Sequence, residues 1–219
     1  GGPMIRARNT LALLALLTWA LTPSAQADSD PNRYSLDDGK VRFVCEGPEV
    51  TVPAWGQFGT VEGALSIDPK DLSKAAGNID VYMVSIRTDD SAWDTMFRRA
   101  GFLEIDEMPK SRFVLERVQG AEMLEERKWV PIKLEGQFTL HGKTKKISMP
   151  ATAKWSPADP LTGLDERIHV RASFHITWDE YEIAMPTGHT RTFAGDGALI
   201  HADLEYAPSK VKQSRRKRR

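Results

Sequence analysis

From Arg167 to Trp178 the chain alternates without a break. Ile168, Val170, Ala172, Phe174, Ile176 and Trp178 are interleaved with Arg167, His169, Arg171, Ser173, His175 and Thr177. A two-residue period of this kind is a strand with one dry face and one wet face. The pattern recurs in Ile132, Leu134, Gly136, Phe138 and Leu140, and again in Ile147, Met149, Ala151, Ala153 and Trp155, with the turn-rich HGKTKK between them. Two such runs around a turn predict a hairpin. Val41, Phe43 and Cys45 open the series; Val61, Leu65 and Ile67 follow, and Ala198, Ile200, Ala202, Leu204 and Tyr206 close it. Segment 112–118 is mixed, with Phe113 and Leu115 facing inward, and segment 79–88 is apolar on both parities, which leaves its facing open. These eight candidates form an even set, and a long apolar sheet face must be covered. The predicted fold is therefore all-β: an eight-stranded antiparallel β-barrel with a short helix at one end.

The helix is predicted within TDDSAWDTMFRRAG, residues 88–101. Asp89, Asp90 or Ser91 supplies a cap, Trp93, Met96, Phe97 and Ala100 fall on one helical face, and Gly101 provides a stop. Such a helix is expected to lie over one end of the barrel, either as a lid over a pocket or as a plug of the core.

Residues 1–27 read as a signal peptide: Arg6 and Arg8 lead into an apolar core from Leu11 to Leu21, followed by the small-x-small site Ala25-Gln26-Ala27. Gly1 to Pro3 precede Met4 and read as non-native or gene-model residues. Cleavage near Ala27 and a periplasmic location are expected. A membrane anchor needs about 18 or more apolar residues, more than this core offers. The single cysteine, Cys45, has no internal disulfide partner and shares parity with Val41 and Phe43, so a buried, inert thiol is expected.

The formal charge of zero conceals an asymmetry. Nine of the 30 basic residues lie in the leader and the last ten positions, leaving 21 against 30 acidic side chains in residues 28–209, a net charge of −9. Residues 28–208 are expected to form one domain, and residues 209–219 a disordered basic tail. The tail suits an anionic membrane surface, or folds back on its own acidic body. Nucleic acid is not an expected partner of an exported chain. A homodimer is left open.

Catalytic signatures are scarce. There is no G-x-S-x-G elbow and no phosphate-cradling glycine loop. The five histidines, His141, His169, His175, His189 and His201, lack metal-ligand spacing, and a solvated surface role is expected, with no metal site. Asp89-Asp90 and Asp179-Glu180 fit capping and turn solvation better than acid–base work. Trp93, Trp155 and Trp178 belong to apolar parity sets and suit either core or the wall of a hydrophobic slot.

Taken together, KVRFVCEG, WGQFGTVEGALSID, VSIRTDDSAWDTMFRRAGFLEIDEMPKSRFVLERV and LEGQFTLHGKTKKISMPATAKW resemble the YceI family of exported, lipocalin-like, polyisoprenoid-binding proteins. The likeness spans nearly the whole body. It implies an elongated lipocalin-like barrel holding an isoprenoid such as a polyprenol or quinone-like lipid, with that lipid as ligand, no cofactor and no catalysis. The chain departs from the family's R-D-x-H-L run at Trp93 to Phe97, keeping Asp94, and from its N-R-x-D-F-G run at TWDEYEI, residues 177–183.

The expected lining is Trp93, Met96 and Phe97 from the helix, with Phe113, Phe138, Leu140, Ile147, Met149, Phe174, Ile176 and Trp178 from the strands. Asp94 is the candidate polar contact. Two rival readings stand beside the carrier. One is an enzyme using Asp94 or Asp179 on an apolar substrate. The other is an interaction module with a filled barrel.

Overall fold

The computed structural model describes residues 32–99, 102–184 and 191–209. The leader and residues 210–219 of the basic tail, together with Ala100, Gly101 and His189, lie outside the described residues.

Among the described residues ten strand segments occur in chain order: β1 (Arg33–Glu46), β2 (Trp55–Phe58), β3 (Val61–Asp68), β4 (Asp71–Tyr82), β5 (Ile86–Thr88), β6 (Lys110–Gln119), β7 (Trp129–Leu140), β8 (Lys143–Ser156), β9 (Arg167–Thr177) and β10 (Gly197–Pro208). Helix α1 (Ser91–Arg98) follows β5, and a one-turn α2 (Arg191–Ala194) precedes β10. Each strand pairs antiparallel with its neighbours, and β1 pairs with both β10 and β3, which closes the sheet. The wall is an eight-stranded antiparallel barrel. The count rises to ten because two wall strands are broken: β2 and β3 keep one register against β1, and β4 resumes as β5 after the turn Met83–Ser85.

That turn resolves the facing of segment 79–88. Val81 and Met83 point inward on odd positions, whereas Ile86 is buried on an even one, because the intervening turn shifts the parity by one. A register shift between Leu36 and Asp38 does the same in β1, where Tyr34 is buried before it and Val41, Phe43 and Cys45 after it. A bulge flips every later side chain to the other face, so the strand's first half is hidden from a parity reading. The expected turn HGKTKK shrinks to His141 and Gly142, both with positive φ (50° and 71°) and bracketed by the pair Leu140–Lys143. Left-handed backbone at both central positions is what a two-residue hairpin that matches strand twist requires.

Gly136 shows how tightly β6 and β7 approach. A Cβ there would sit 2.1 Å from the Val114 carbonyl oxygen and 2.9 Å from the Phe113 ring. Gly136→Ala is expected to destabilise the fold by about 1–3 kcal/mol, the usual cost of overpacking. A thermal melt of the variant checks this.

Two apolar layers fill the ends. One gathers Tyr34, Ile67, Leu72, Leu124 and Ile168, with the segment after β6 folded over it: the Leu124 amide donates to the Pro69 carbonyl (2.7 Å), and the Leu72 amide to the Glu122 carbonyl (2.9 Å). The other is aromatic and lies beneath α1. Phe43, Phe97, Phe102 and Trp178 form a chain of ring contacts at 5.3, 5.3 and 5.4 Å.

Candidate functional site

Between these end layers the barrel is hollow. A chamber of about 120 Å³ lies under the aromatic layer, and one of about 70 Å³ lies toward the opposite end. By the same measure a single water needs about 10–15 Å³, so the space is far beyond a packing defect. The two chambers share Ile79, Phe113, Leu134, Val170 and Leu204 in their walls, so these residues form the waist at which they adjoin. The lining is almost wholly hydrocarbon and aromatic. Its polar side chains are Ser111, whose hydroxyl donates to the Thr139 carbonyl (3.0 Å), Trp178, whose Nε1 donates to the Ala194 carbonyl (3.0 Å), and Asn78 and Tyr206 in the smaller chamber.

Of the residues singled out from sequence, Phe97, Phe113, Phe138, Leu140, Met149, Phe174, Ile176 and Trp178 border the larger chamber. They come from α1, four strands and the turn after β9. Strand alternation brings them inward, and closure makes them meet. Phe138 joins the wall to its surroundings by edge contacts with Phe174 (5.1 Å) and Tyr181 (5.6 Å).

Four expectations need correction. Trp93, Met96 and Ile147 are only half-buried and do not border the tunnel. A helix of two turns offers one side chain to the barrel axis; here that is Phe97, while Trp93 turns to the Phe193 ring at 5.1 Å. Ile147 lies where β8 has left β9, and packs against the core from the flank. Asp94 is no free polar contact. Its carboxylate accepts from the Thr88 amide (2.6 Å) and hydroxyl (2.8 Å) and faces Arg98 at 3.8 Å, which ties α1 to β5.

The helix starts within the expected caps, Asp90 accepting from the Ala92 amide (2.7 Å), and ends sooner than expected, with Arg99 as its C-cap. It acts as a plug, since Phe97 is 1% exposed and touches both the chamber and the aromatic layer. The other carboxylate considered, Asp179, is exposed in the turn after β9.

Sequence reasoning passed over Met83, Ile86 and Leu103, which also line the larger chamber. Met83 and Ile86 were masked by the parity shift. Leu103 lies in the irregular segment after α1, where no period marks an inward side chain. Tyr181 was missed too: it is 1% exposed and packs beside the wall through Phe138.

The histidines are partnered more than expected. His141 is nearly buried, with Nδ1 3.1 Å from the Tyr181 carbonyl oxygen and Nε2 3.2 Å from a Glu104 carboxylate oxygen. His169 meets Glu205 at 2.9 Å, His175 meets Glu46 at 2.9 Å, and His201 Nδ1 lies 2.8 Å from the Ser173 hydroxyl.

Burial raises several acids that stay neutral in the folded state. The Cys45 thiol is pushed up to about 12, by desolvation and then by Glu46, and the Tyr181 phenol to about 12, by desolvation and then by Glu180. Tyr34 and Tyr206 move in the same direction, both chiefly through burial. The unfolded chain loses these protons near the ordinary thiol and phenol values of about 8.5 and 10, while the native barrel keeps them. Stability is thus fully present below about pH 8.5 and is expected to fall as pH rises toward 12. Urea unfolding at stepped alkaline pH reads the decline, and native Cys45 is expected to resist alkylation at pH 8.

A closed antiparallel barrel around an enclosed apolar tunnel defines the lipocalin-like class of β-barrels. The family model described as "YceI-like domain" matches residues 34–206, and the chain belongs to that family. Among curated proteins, "Protein YceI" of Salmonella arizonae is 24% identical over 134 residues, which are 61% of this chain and 65% of the relative. The match therefore spans somewhat less than two thirds of that relative's length. Among solved structures, Burkholderia cenocepacia BcnA is similar with a TM-score of 0.61 at 17% identity, covering 76% of this chain and 95% of that one. A polyisoprenoid binding domain from Saccharophagus degradans, implicated in plant cell wall breakdown, also gives 0.61, at 15% identity, covering 80% and 98%. At these identities the structural likeness is one of fold.

Proposed function

We propose that this protein is a periplasmic, non-catalytic carrier that holds a long isoprenoid chain, of the polyprenol or quinone-like kind, inside its barrel. The observation that carries the reading is the two-chambered tunnel, lined by hydrocarbon and aromatic groups and offering no charged side chain to a substrate. Each methylene moved from water into such a wall contributes about 0.8 kcal/mol, so ten give roughly 8 kcal/mol, a gross value near micromolar affinity before ordering costs. Burial of the chain alone is enough for capture. The Saccharophagus degradans neighbour, whose description names polyisoprenoid binding, supports the same reading. Asp94 and Asp179 both lie away from the tunnel, which weakens the enzyme alternative.

Protein purified from a periplasmic extract, extracted into organic solvent and analysed by mass spectrometry, is expected to yield a long-chain isoprenoid. Recovery of no lipid, together with no uptake of added polyprenols or quinones, would falsify the carrier reading.

A further inference from the structure

Both ends of the tunnel are stoppered, one by the aromatic layer under α1 and the other by Leu72 and Leu124. A chain that enters must move something aside, and one part of the wall is fastened differently from the rest. The ladder between β8 and β9 stops at the pair Ala151–Ala172, although β8 begins at Lys143 and β9 runs on to Thr177. Over that stretch β8 peels away from the barrel. On its inward parity Met149 is 3% exposed and Ile147 half-buried, but Lys145 and Lys143 are exposed.

The place of β9 beside these lysines is taken by the turn that follows it, residues 178–183. The buried Tyr181 ring of this turn packs on Phe138 at 5.6 Å and lies 5.9 Å from the Lys145 ammonium. Glu182 meets Lys143 at 2.7 Å. The turn's amides are spent within it: those of Tyr181 and Ile183 donate to the Trp178 carbonyl (3.1 and 3.0 Å), and that of Glu182 to the Asp179 carbonyl (3.1 Å). Side chains, not a ladder, therefore hold the turn against β8. A segment held in this way can open locally while the paired strands around it stay closed.

His141, in the β7–β8 hairpin, is the clasp. Its Nδ1 lies 3.1 Å from the Tyr181 carbonyl oxygen and its Nε2 3.2 Å from a Glu104 carboxylate oxygen. Both partners are acceptors. A ring that serves both donates from each nitrogen, whereas a neutral imidazole has one N–H and holds only one of them. Glu104 follows Leu103, which lines the larger chamber, so the same ring fastens the turn and the segment after α1. Four non-glycine residues among those described have positive φ, and three of them, Glu104 (47°), His141 (50°) and Glu182 (52°), gather at this junction. The value at His141 is the hairpin's own; those at Glu104 and Glu182 are sustained only by the surrounding contacts, a feature of segments with a second arrangement.

We propose that residues 178–183 are a side gate of the tunnel, fastened by His141, which swings away from β8 to admit the lipid chain through the flank of the barrel and closes behind it. The inference rests on the carrier reading and adds to it the route of entry and the residue that controls it.

The test measures association and dissociation of a long-chain polyprenol by stopped-flow quenching of intrinsic fluorescence. The full chain is compared with His141→Asn, which suits a left-handed backbone but cannot serve both acceptors. Two further variants loosen the stoppers instead: Asp94→Ala unties α1 from β5, and Leu124→Ala thins the opposite end. Thermal melts verify that each is folded. His141→Asn is expected to speed association and dissociation together, by about tenfold or more, the worth of one hydrogen bond to a charged group, with affinity unchanged. Uptake is expected to stay at the parent rate in the other two. Unchanged rates in His141→Asn, faster dissociation alone with weaker affinity, or equal acceleration by either stopper variant overturns the gate and leaves the carrier reading intact. Hydrogen exchange on the unmodified protein gives a second reading: the amides of Tyr181, Glu182 and Ile183 are expected to exchange well ahead of those of β9. Exchange of the turn only together with the whole barrel also overturns the proposal. If the unmodified protein takes up no prenol, the carrier reading falls and the gate falls with it.

Discussion

Val170→Trp is expected to cut the tunnel in two and abolish tight binding of long chains while sparing short ones. Val170 borders both chambers and stays half-buried although it faces inward, because cavity rather than side chains lies before it. An indole at the waist leaves the larger chamber usable and denies the smaller one to the ligand. Excluding about five methylenes forfeits roughly 4 kcal/mol, close to a thousandfold in affinity. Prenols of graded length, titrated by quenching of intrinsic fluorescence, separate this from general damage: affinity for the longest falls steeply, and that for the shortest barely moves. An unchanged profile across lengths would show that the chain does not pass the waist. Overpacking itself is expected to cost about 1–3 kcal/mol of stability, read independently in a melt.

The largest effect on folding is expected at Trp178. Its ring is 3% exposed, meets Phe102 edge-on at 5.4 Å, and donates through Nε1 to the Ala194 carbonyl at 3.0 Å. Trp178→Ala removes this keystone of the aromatic layer, leaves a buried carbonyl without its donor and opens the plug above the tunnel. A loss of about 3–5 kcal/mol is expected from the cavity alone, with a further contribution of about 1 kcal/mol from the hydrogen bond. Urea unfolding measures it. Trp178→Phe keeps most of the packing and is expected to retain most of the stability, which separates the ring's contribution from that of the indole N–H.

Much of this molecule is legible from alternation. The inward faces of β7, β9 and β10 follow directly from their period, because the shifts in their ladders fall in the neighbouring strands β1 and β6 and one side of a barrel wall is always dry. The inward placement of Phe138, Phe174 and Ile176 follows for the same reason. Where the reading stopped short, a local device had broken the period: the shift after Leu36, the turn at Met83–Ser85, and the residues after α1 that bring Leu103 to the cavity without any repeat. The Ala- and Gly-rich first half of β4 was also hidden, since small side chains give little contrast between its faces.

The helix illustrates a different limit. Its apolar stripe marks Trp93, Met96 and Phe97 alike, yet only Phe97 reaches the tunnel, because a short helix set across a barrel end exposes one position to the axis. Asp94 is a tethering carboxylate for a reason no spacing reveals: Thr88 happens to be folded beneath it.

By itself, then, the sequence determined the strands, their dry faces and an antiparallel closed wall, since side-chain parity is a property of each strand alone. Only the tertiary structure decided that the interior is hollow and that its two ends are sealed. These depend on how far opposite walls stand apart and on which strands become neighbours, and both are set by closure of the whole barrel rather than by any segment of it.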